Sequence, residues 1–274
     1  MNYGPSLLEK TKQTIQAIGL RPRRRRGQNF VVSEALLERM LQEAAIGADD
    51  RVLEIGGGLG TLTERLVEGG PRELTVVEKD RRLSEFLRKK FSGEPEVRVV
   101  EGDYLKVRLP SYDKCVSNPP FGISSRIVLK LAEEAPLLAV TTFERQYSKR
   151  LASRQGEADY GRLSVLLHFT YAVHEVAVFP NSAFFPMPST EISLLKMVLK
   201  PDRLDVKDVC ALERVTKELF RYRRKKVAKA LRMSALEPEA LSGSVLNSVL
   251  EKRVFELSPE DFLEIATVFR ERHR

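Results

Sequence analysis

Apolar residues along the chain recur at two spacings, and the change from one to the other divides it. Ser6 to Ile18 carries a helical pattern that Gly19 stops. A basic stretch follows, and Gly27-Gln28-Asn29-Phe30 reads as a loop. Ser33 suits an N-cap for a helix over Glu34 to Ala45, with Leu36, Leu37, Met40 and Leu41 on one face. Short apolar runs then alternate with helical stretches. The spacing predicts strands at Arg51–Ile55, Leu74–Val77, Val97–Val100, Lys114–Val116 and Leu137–Thr142, with helices at Thr61–Val67, Arg82–Phe91 and Ser124–Glu134 between them. Two later strands are predicted at Val173–Phe179 and Ile192–Leu199, at an antiparallel edge. Strands alternating with helices at this spacing predict an α/β fold with a doubly wound, mostly parallel sheet.

The strand pattern ends at Lys200-Pro201-Asp202. Beyond it the periodicity is helical, over Val206–Phe220, Arg224–Ala235 and Pro259–Arg270, with a turn near Pro238. The chain therefore divides into an N-terminal helix and basic arm (1–26), an α/β domain (27–199) and a small all-helical domain (203–274).

Charge changes this picture. The net charge is +8 and the pI about 9.5. Five of the six residues from Arg21 to Arg26 are arginine, and Arg221 to Arg232 carries seven basic residues and no acidic one. Two basic clusters flanking an α/β domain point to a polyanion such as nucleic acid. Arg23, Arg24, Arg25 and Arg26 in the first cluster and Arg223, Arg224 and Lys225 in the second are the candidate contacts. The two cysteines, Cys115 and Cys210, and the three histidines, His168, His174 and His273, have no metal-ligand or disulfide spacing, so no metal is expected. His168 and His174 read as structural residues in or beside strands. No apolar run approaches a membrane span, and no signal core opens the chain, so a soluble, cytoplasmic protein is expected.

The α/β half carries two constellations. Glu54-Ile55-Gly56-Gly57-Gly58-Leu59-Gly60 lies between a strand and a helix, where glycines let the backbone turn tightly and approach a ligand. Gly56, Gly58 and Gly60 have a shorter final spacing than a dinucleotide fingerprint, and Glu54 is an acid where a pyrophosphate would repel one. That combination favours the cationic cofactor S-adenosylmethionine. Glu78, ending the next strand, can accept from a ribose diol, and Asp103, near the end of the third, from an adenine amino group. Ligands of open α/β sheets bind outside the carboxyl ends of the strands, where all three acids fall.

The second constellation is Asn118-Pro119-Pro120-Phe121, after the fourth strand. An adenine exocyclic nitrogen is a poor nucleophile because its lone pair is delocalised into the ring. The Asn118 side-chain oxygen and the Pro119 carbonyl can accept its hydrogens and favour a pyramidal nitrogen. Consecutive prolines restrict the backbone that carries these acceptors. Phe121 can stack on a base that has left its helix.

With these residues the sequence resembles the ribosomal RNA adenine dimethyltransferase family, which includes small-subunit dimethylases and erythromycin-resistance methylases. The resemblance runs from about Arg23 to the end. It rests on Gly27 to Phe30, Glu54 to Gly60, Glu78, Gly102-Asp103, Asn118 to Ser124, Tyr160-Gly161-Arg162-Leu163-Ser164-Val165, Ser182 to Pro186, and Phe220 with Arg223-Arg224-Lys225, which match a basic helix. It implies a Rossmann-like class I S-adenosylmethionine methyltransferase sheet. It further implies cofactor contacts at Asn29, Val31, Gly56, Glu78, Asp103 and Asn118, and base stacking by Phe121 and, on the other face, Phe184. Arg162 joins the candidate RNA contacts. The implied activity is dimethylation of two adjacent adenines near the 3′ end of small-subunit RNA, by a monomer acting on the immature particle.

The chain departs from the family pattern in several places. Pro119 and Phe121 stand where the family usually has leucine or isoleucine and tyrosine, and Gly57 replaces a usual proline. Glu144-Arg145-Gln146 stands for Gln-Lys-Glu, and Ser189 for a lysine. The double proline keeps a DNA adenine methyltransferase open as an alternative. A large-subunit methylase, or an assembly factor whose methylation is secondary, are the others.

Overall fold

The computed structural model describes residues 5–21, 28–236 and 247–272. Its contacts group into two compact units. The first comprises Met1–Ile127, Pro136–Ser148 and His174–Val198; the second comprises Val128–Ala135, Lys149–Val173 and Leu199–Arg274. The linear division at residue 200 thus differs from the spatial one, because two segments before it group with the C-terminal helices.

The first unit is built on β2 (Arg51–Ile55), β3 (Glu73–Glu78), β4 (Val97–Glu101), β5 (Lys114–Ser117) and β6 (Leu138–Glu144). With β7 (Tyr171–Phe179) and β9 (Ile192–Leu199) they form a seven-stranded sheet in the order β4-β3-β2-β5-β6-β9-β7. The pairs among β2 to β6 are parallel, and β9 runs antiparallel to β6. Helices α3 (Thr61–Glu68) and α4 (Arg81–Lys90) make crossovers on the β4 side, and α5 (Ser124–Glu134) links β5 to β6. The chain leaves β2 in one direction to β3 and later returns on the other side to β5. That reversal opens a crevice at the carboxyl ends of β2 and β5.

The central strands form because they are buried on both faces, unlike β4 and β7 at the edges. Val52, Leu53 and Ile55 of β2 and Leu74, Val76 and Val77 of β3 are nearly inaccessible. Leu36, Leu37 and Met40 of α2 (Glu34–Ala44), Leu62 and Leu66 of α3 and Leu87 of α4 are buried in the same core. Each such side chain contributes about 1.5–3 kcal/mol. Ser33 caps α2 by accepting from Leu36 N at 3.3 Å, as its position predicts. Ser6 and Glu9 form a reciprocal capping box on α1 (Leu7–Ala17).

The second unit is helical and has its own core. Tyr160, Val165, Leu166, Leu212, Val215, Leu219, Phe262 and Ile265 are buried together. They come from the Tyr160 loop, α7 (Arg162–Thr170), α8 (Val206–Phe220) and α11 (Pro259–Arg272). Phe220 stacks on Phe262 at 5.1 Å and meets Tyr160 edge-on at 5.8 Å. The buried Tyr160 hydroxyl donates to the Leu257 carbonyl at 3.0 Å.

Several elements differ from the sequence reading. β1 (Phe30–Val31) stands where the sequence predicts a loop and pairs antiparallel with β8 (Phe184–Phe185). Two-residue strands carry no periodicity and exist only through a long-range partner. α6 (Arg145–Ala152) and α7 were not foreseen. Ser164, Val165, Leu166, Leu167 and Thr170 of α7 are buried, so the helix lacks a polar face to mark its period. His168 consequently lies on α7 rather than beside a strand, while His174 lies on β7. α9 (Val227–Met233) begins three residues later than expected, and Arg223-Arg224-Lys225 form the turn before it instead of a basic helix. The turn near Pro238 and His273 lie outside the described residues.

Candidate methyl-transfer site

A cleft of about 590 Å³ opens at the carboxyl ends of β2 and β5, within the usual range for small-ligand sites. Asn29, Val31, Glu54, Gly56, Gly58, Glu78, Asp103 and Asn118 are among the residues lining it. Residues far apart in sequence therefore meet where the topology reverses.

Backbone geometry shapes the β2–β4 side. Gly58 has φ +55°, and its N–H donates to Glu78 Oε2 at 3.0 Å. A Cβ there would come within 3.1 Å of the Phe30 ring. Gly60 has φ +76°, and its Cβ would lie 2.8 Å from Phe91. Left-handed backbone and close neighbours together select glycine. At Gly57 the constraint is space alone: a Cβ would lie 2.4 Å from Val76 Cγ1 and 2.9 Å from Leu87 Cδ1. Those two side chains fill the room the usual family proline would need.

The three acids are held differently. Glu78 is 7% exposed, and its Oε1 accepts from Asp80 N at 2.8 Å. Burial raises its pKa, opposed by backbone hydrogen bonds from Asp80 and Gly58. Asp103 lies beyond the end of β4; it accepts from Lys79 Nζ at 2.9 Å and from Leu105 N at 3.1 Å. The Lys79 hydrogen bond holds its carboxyl below the ordinary range. Glu54 is 1% exposed, and its Oε2 accepts from the Thr63 hydroxyl at 2.6 Å. Burial pushes it up to about 8, against the Thr63 bond. Near neutral pH Glu54 thus presents a protonated carboxyl instead of the countercharge its position suggested. Thr63 gave no signal in the sequence.

The donor set fits S-adenosylmethionine. Glu78 and Asp103 offer carboxyl acceptors for hydroxyl and amino groups, while Lys79 is the one cation among the described residues lining the cleft. A pyrophosphate would meet carboxylates there; a nucleoside with a cationic chain meets complementary groups.

The β5–β6 side is neutral. Asn118 follows β5, its Nδ2 donates to the Asn29 carbonyl at 2.7 Å, and its Oδ1 accepts from the Thr142 hydroxyl at 2.6 Å. The parallel register Ser117↔Thr141 sets Thr142 beside residue 118. Thr142 sits in an apolar strand, and nothing in its own neighbourhood marks it. Pro119 is buried, and Phe121 opens the short turn Phe121–Ile123.

Phe121 and Phe184 meet edge to face, with centroids 6.3 Å apart and planes at 75°. Sandwiching a base needs parallel rings about 7 Å apart, twice the roughly 3.4 Å nucleotide spacing. Phe184 is 1% exposed and paired through β8 to β1. Phe121 is partly exposed.

The described basic candidates belong to the helical unit. Arg162 pairs with Glu213 at 3.2 Å, and Arg223 Nη2 donates to the Glu157 carbonyl at 3.0 Å. Arg224 and Lys225 are exposed. Arg23, Arg24, Arg25 and Arg26 lie outside the described residues.

Comparison with known proteins agrees with this geometry. The family model described as ribosomal RNA adenine dimethylase matches residues 19–271. A probable ribosomal RNA small subunit methyltransferase A from Methanothermobacter thermautotrophicus is 38% identical over 267 residues, covering 95% of each chain. A Plasmodium falciparum dimethyladenosine transferase structure superposes with a TM-score of 0.74 at 23% identity, covering 89% of this chain and 98% of its own. The 23S rRNA methyltransferase ErmE superposes with a TM-score of 0.62 at 25% identity, covering 88% and 99%. With a Rossmann-like sheet, a cleft at its reversal point and a family match over nearly its whole length, the chain belongs to the ribosomal RNA adenine dimethylase family.

Proposed function

We propose that this S-adenosylmethionine-dependent rRNA adenine dimethyltransferase acts on two adjacent adenines near the 3′ end of small-subunit RNA. We further propose that it works as a monomer in the cytoplasm, on the immature small subunit. The observation that carries the site assignment is the Asn118 amide, held by two hydrogen bonds beside a cleft that also presents Glu78 and Asp103.

When bound, S-adenosylmethionine supplies an electrophilic methyl group on a sulfonium centre. Glu78 would accept from its ribose hydroxyls and Asp103 from its adenine amino group, both of them residues that line the cleft. Gly56 and Gly58 let the backbone lie close beneath them, while Gly60 makes room for Phe91, and Asn29 and Val31 border the same cleft. The target adenine leaves its stack and lies on Phe121. Asn118 Oδ1 and the Pro119 carbonyl accept its N6 hydrogens, so the nitrogen lone pair is freed from the ring and aimed at the methyl group. Forming the N–C bond would break the sulfonium C–S bond and leave S-adenosylhomocysteine, and the nitrogen, acidic once it carries positive charge, would give its proton to solvent water without a strong base. Positioning and exclusion of water supply most of the acceleration. Arg224 and Lys225 are suited to phosphate contacts.

Methyl transfer from labelled cofactor to undermethylated small subunits, followed by mass spectrometry of the digested RNA, tests the proposal. Dimethyladenine at two neighbouring positions near the 3′ end is expected. Label in large-subunit RNA or duplex DNA instead would overturn the substrate assignment.

A further inference from the structure

We propose that Thr142 is a positioning residue for methyl transfer, its hydroxyl holding the Asn118 amide so that the side-chain oxygen faces the target amino group. The inference rests on the adenine methylation proposed above and assigns that site a residue no sequence motif contains.

An asparagine amide has nearly the same shape after a half-turn, but the turn exchanges acceptor for donor. A donor facing an adenine amino group would repel it. At Asn118 the Asn29 carbonyl, which can only accept, selects the Nδ2 end at 2.7 Å. The Thr142 hydroxyl spends its single proton on Oδ1 at 2.6 Å. Together the two bonds tie the amide at both ends and fix its plane. An amide oxygen has two lone pairs; Thr142 takes one, and one remains for an adenine N–H. The Pro119 carbonyl is left for the other hydrogen.

The anchor is itself rigid. Thr142 lies inside β6, pairs in register with Leu194 of β9 and is fully buried. A β-branched side chain in a strand has few rotamers open to it, so the hydroxyl is held in place before substrate arrives. Asn29 immediately precedes β1, whose pairing with β8 ties that segment down. The orientation of Asn118 thus depends on two strands, neither of which carries it.

The test replaces Thr142 by valine, which keeps the shape and removes the hydroxyl, and by serine, which keeps the hydroxyl. Turnover on undermethylated small subunits, affinity for S-adenosylhomocysteine by calorimetry and the Asn118 side-chain amide signal by NMR are measured for each. Thr142→Val is expected to lower kcat about tenfold, the scale of one hydrogen bond. It should leave the RNA KM and the S-adenosylhomocysteine affinity within about threefold, the split expected of a residue that acts on turnover. The Asn118 amide signal should move in the valine variant and return in Thr142→Ser, together with kcat. A valine variant with wild-type kcat and an unmoved signal overturns the proposal. So does a serine variant as slow as valine, or an equal loss of kcat and S-adenosylhomocysteine affinity. Wild-type protein that methylates no adenine would instead take down the functional reading itself.

Discussion

The two sides of the cleft are made of opposite materials. On the β2–β4 side stand three carboxyl groups, and burial, backbone N–H groups and Lys79 set their charge states separately. On the β5–β6 side stands the neutral Asn118 amide, bonded to the buried Thr142 hydroxyl and followed by the buried Pro119. Charge acts over distance and tolerates imprecision, which suits holding a cationic cofactor. Aiming a lone pair demands direction, which only oriented hydrogen bonds supply. One side is therefore expected to govern affinity and the other turnover.

The sharpest test of that division is Asn118→Ala. Turnover should fall by about 10²–10³, the loss seen when one preorganised partner of a reacting group is removed. Cofactor affinity, measured by calorimetry, should change far less; equal losses would erase the distinction. On the opposite side, Glu78→Gln removes a charged acceptor while keeping its shape. Affinity for S-adenosylhomocysteine should weaken about 10–100-fold, matching the roughly 1.5–3 kcal/mol of a charged hydrogen bond. Unaltered affinity would mean that Glu78 merely braces the Gly58 turn.

Glu54 sharpens the comparison through pH. Its unfolded pKa is 4.5, and its folded value is about 8. Between those values the folded protein holds a proton that the unfolded chain has lost, so stability falls as pH rises through this window. The contribution approaches about 1.4 kcal/mol per pH unit for one proton. Denaturant midpoints taken from pH 5 to pH 8 should show a shallower decline in Glu54→Gln than in the wild type. Parallel curves would contradict a protonated Glu54. The smallest effect is expected away from the cleft. Arg224→Ala and Lys225→Ala should each lower the salt slope of RNA binding by about one, with cofactor affinity intact. A slope that does not change would place the RNA elsewhere.

Much of this was legible because it is local. The strand Arg51–Ile55, the cap at Ser33 and the helix Val206–Phe220 match their sequence readings, since periodicity and capping are properties of neighbouring residues. The glycine turn, Glu78 and Asp103 were legible as a set because strand ends converge in any open α/β sheet. The Tyr160 motif shows how much tertiary context adds to a matched run of residues. Tyr160 is a core residue of the helical unit, and Arg162 is paired with Glu213.

By itself the sequence determined the alternation of strands and helices, the glycine turn and the identity of Asn118. Tertiary structure decided the rest. It protonated Glu54 through burial, paired β1 with β8 across about 150 residues of chain, set Phe121 edge-on to Phe184, and put Thr142 against Asn118. The physical reason is the same in each case. Desolvation and hydrogen-bond partnership depend on which atoms surround a group, and strand register, not sequence distance, chooses those atoms.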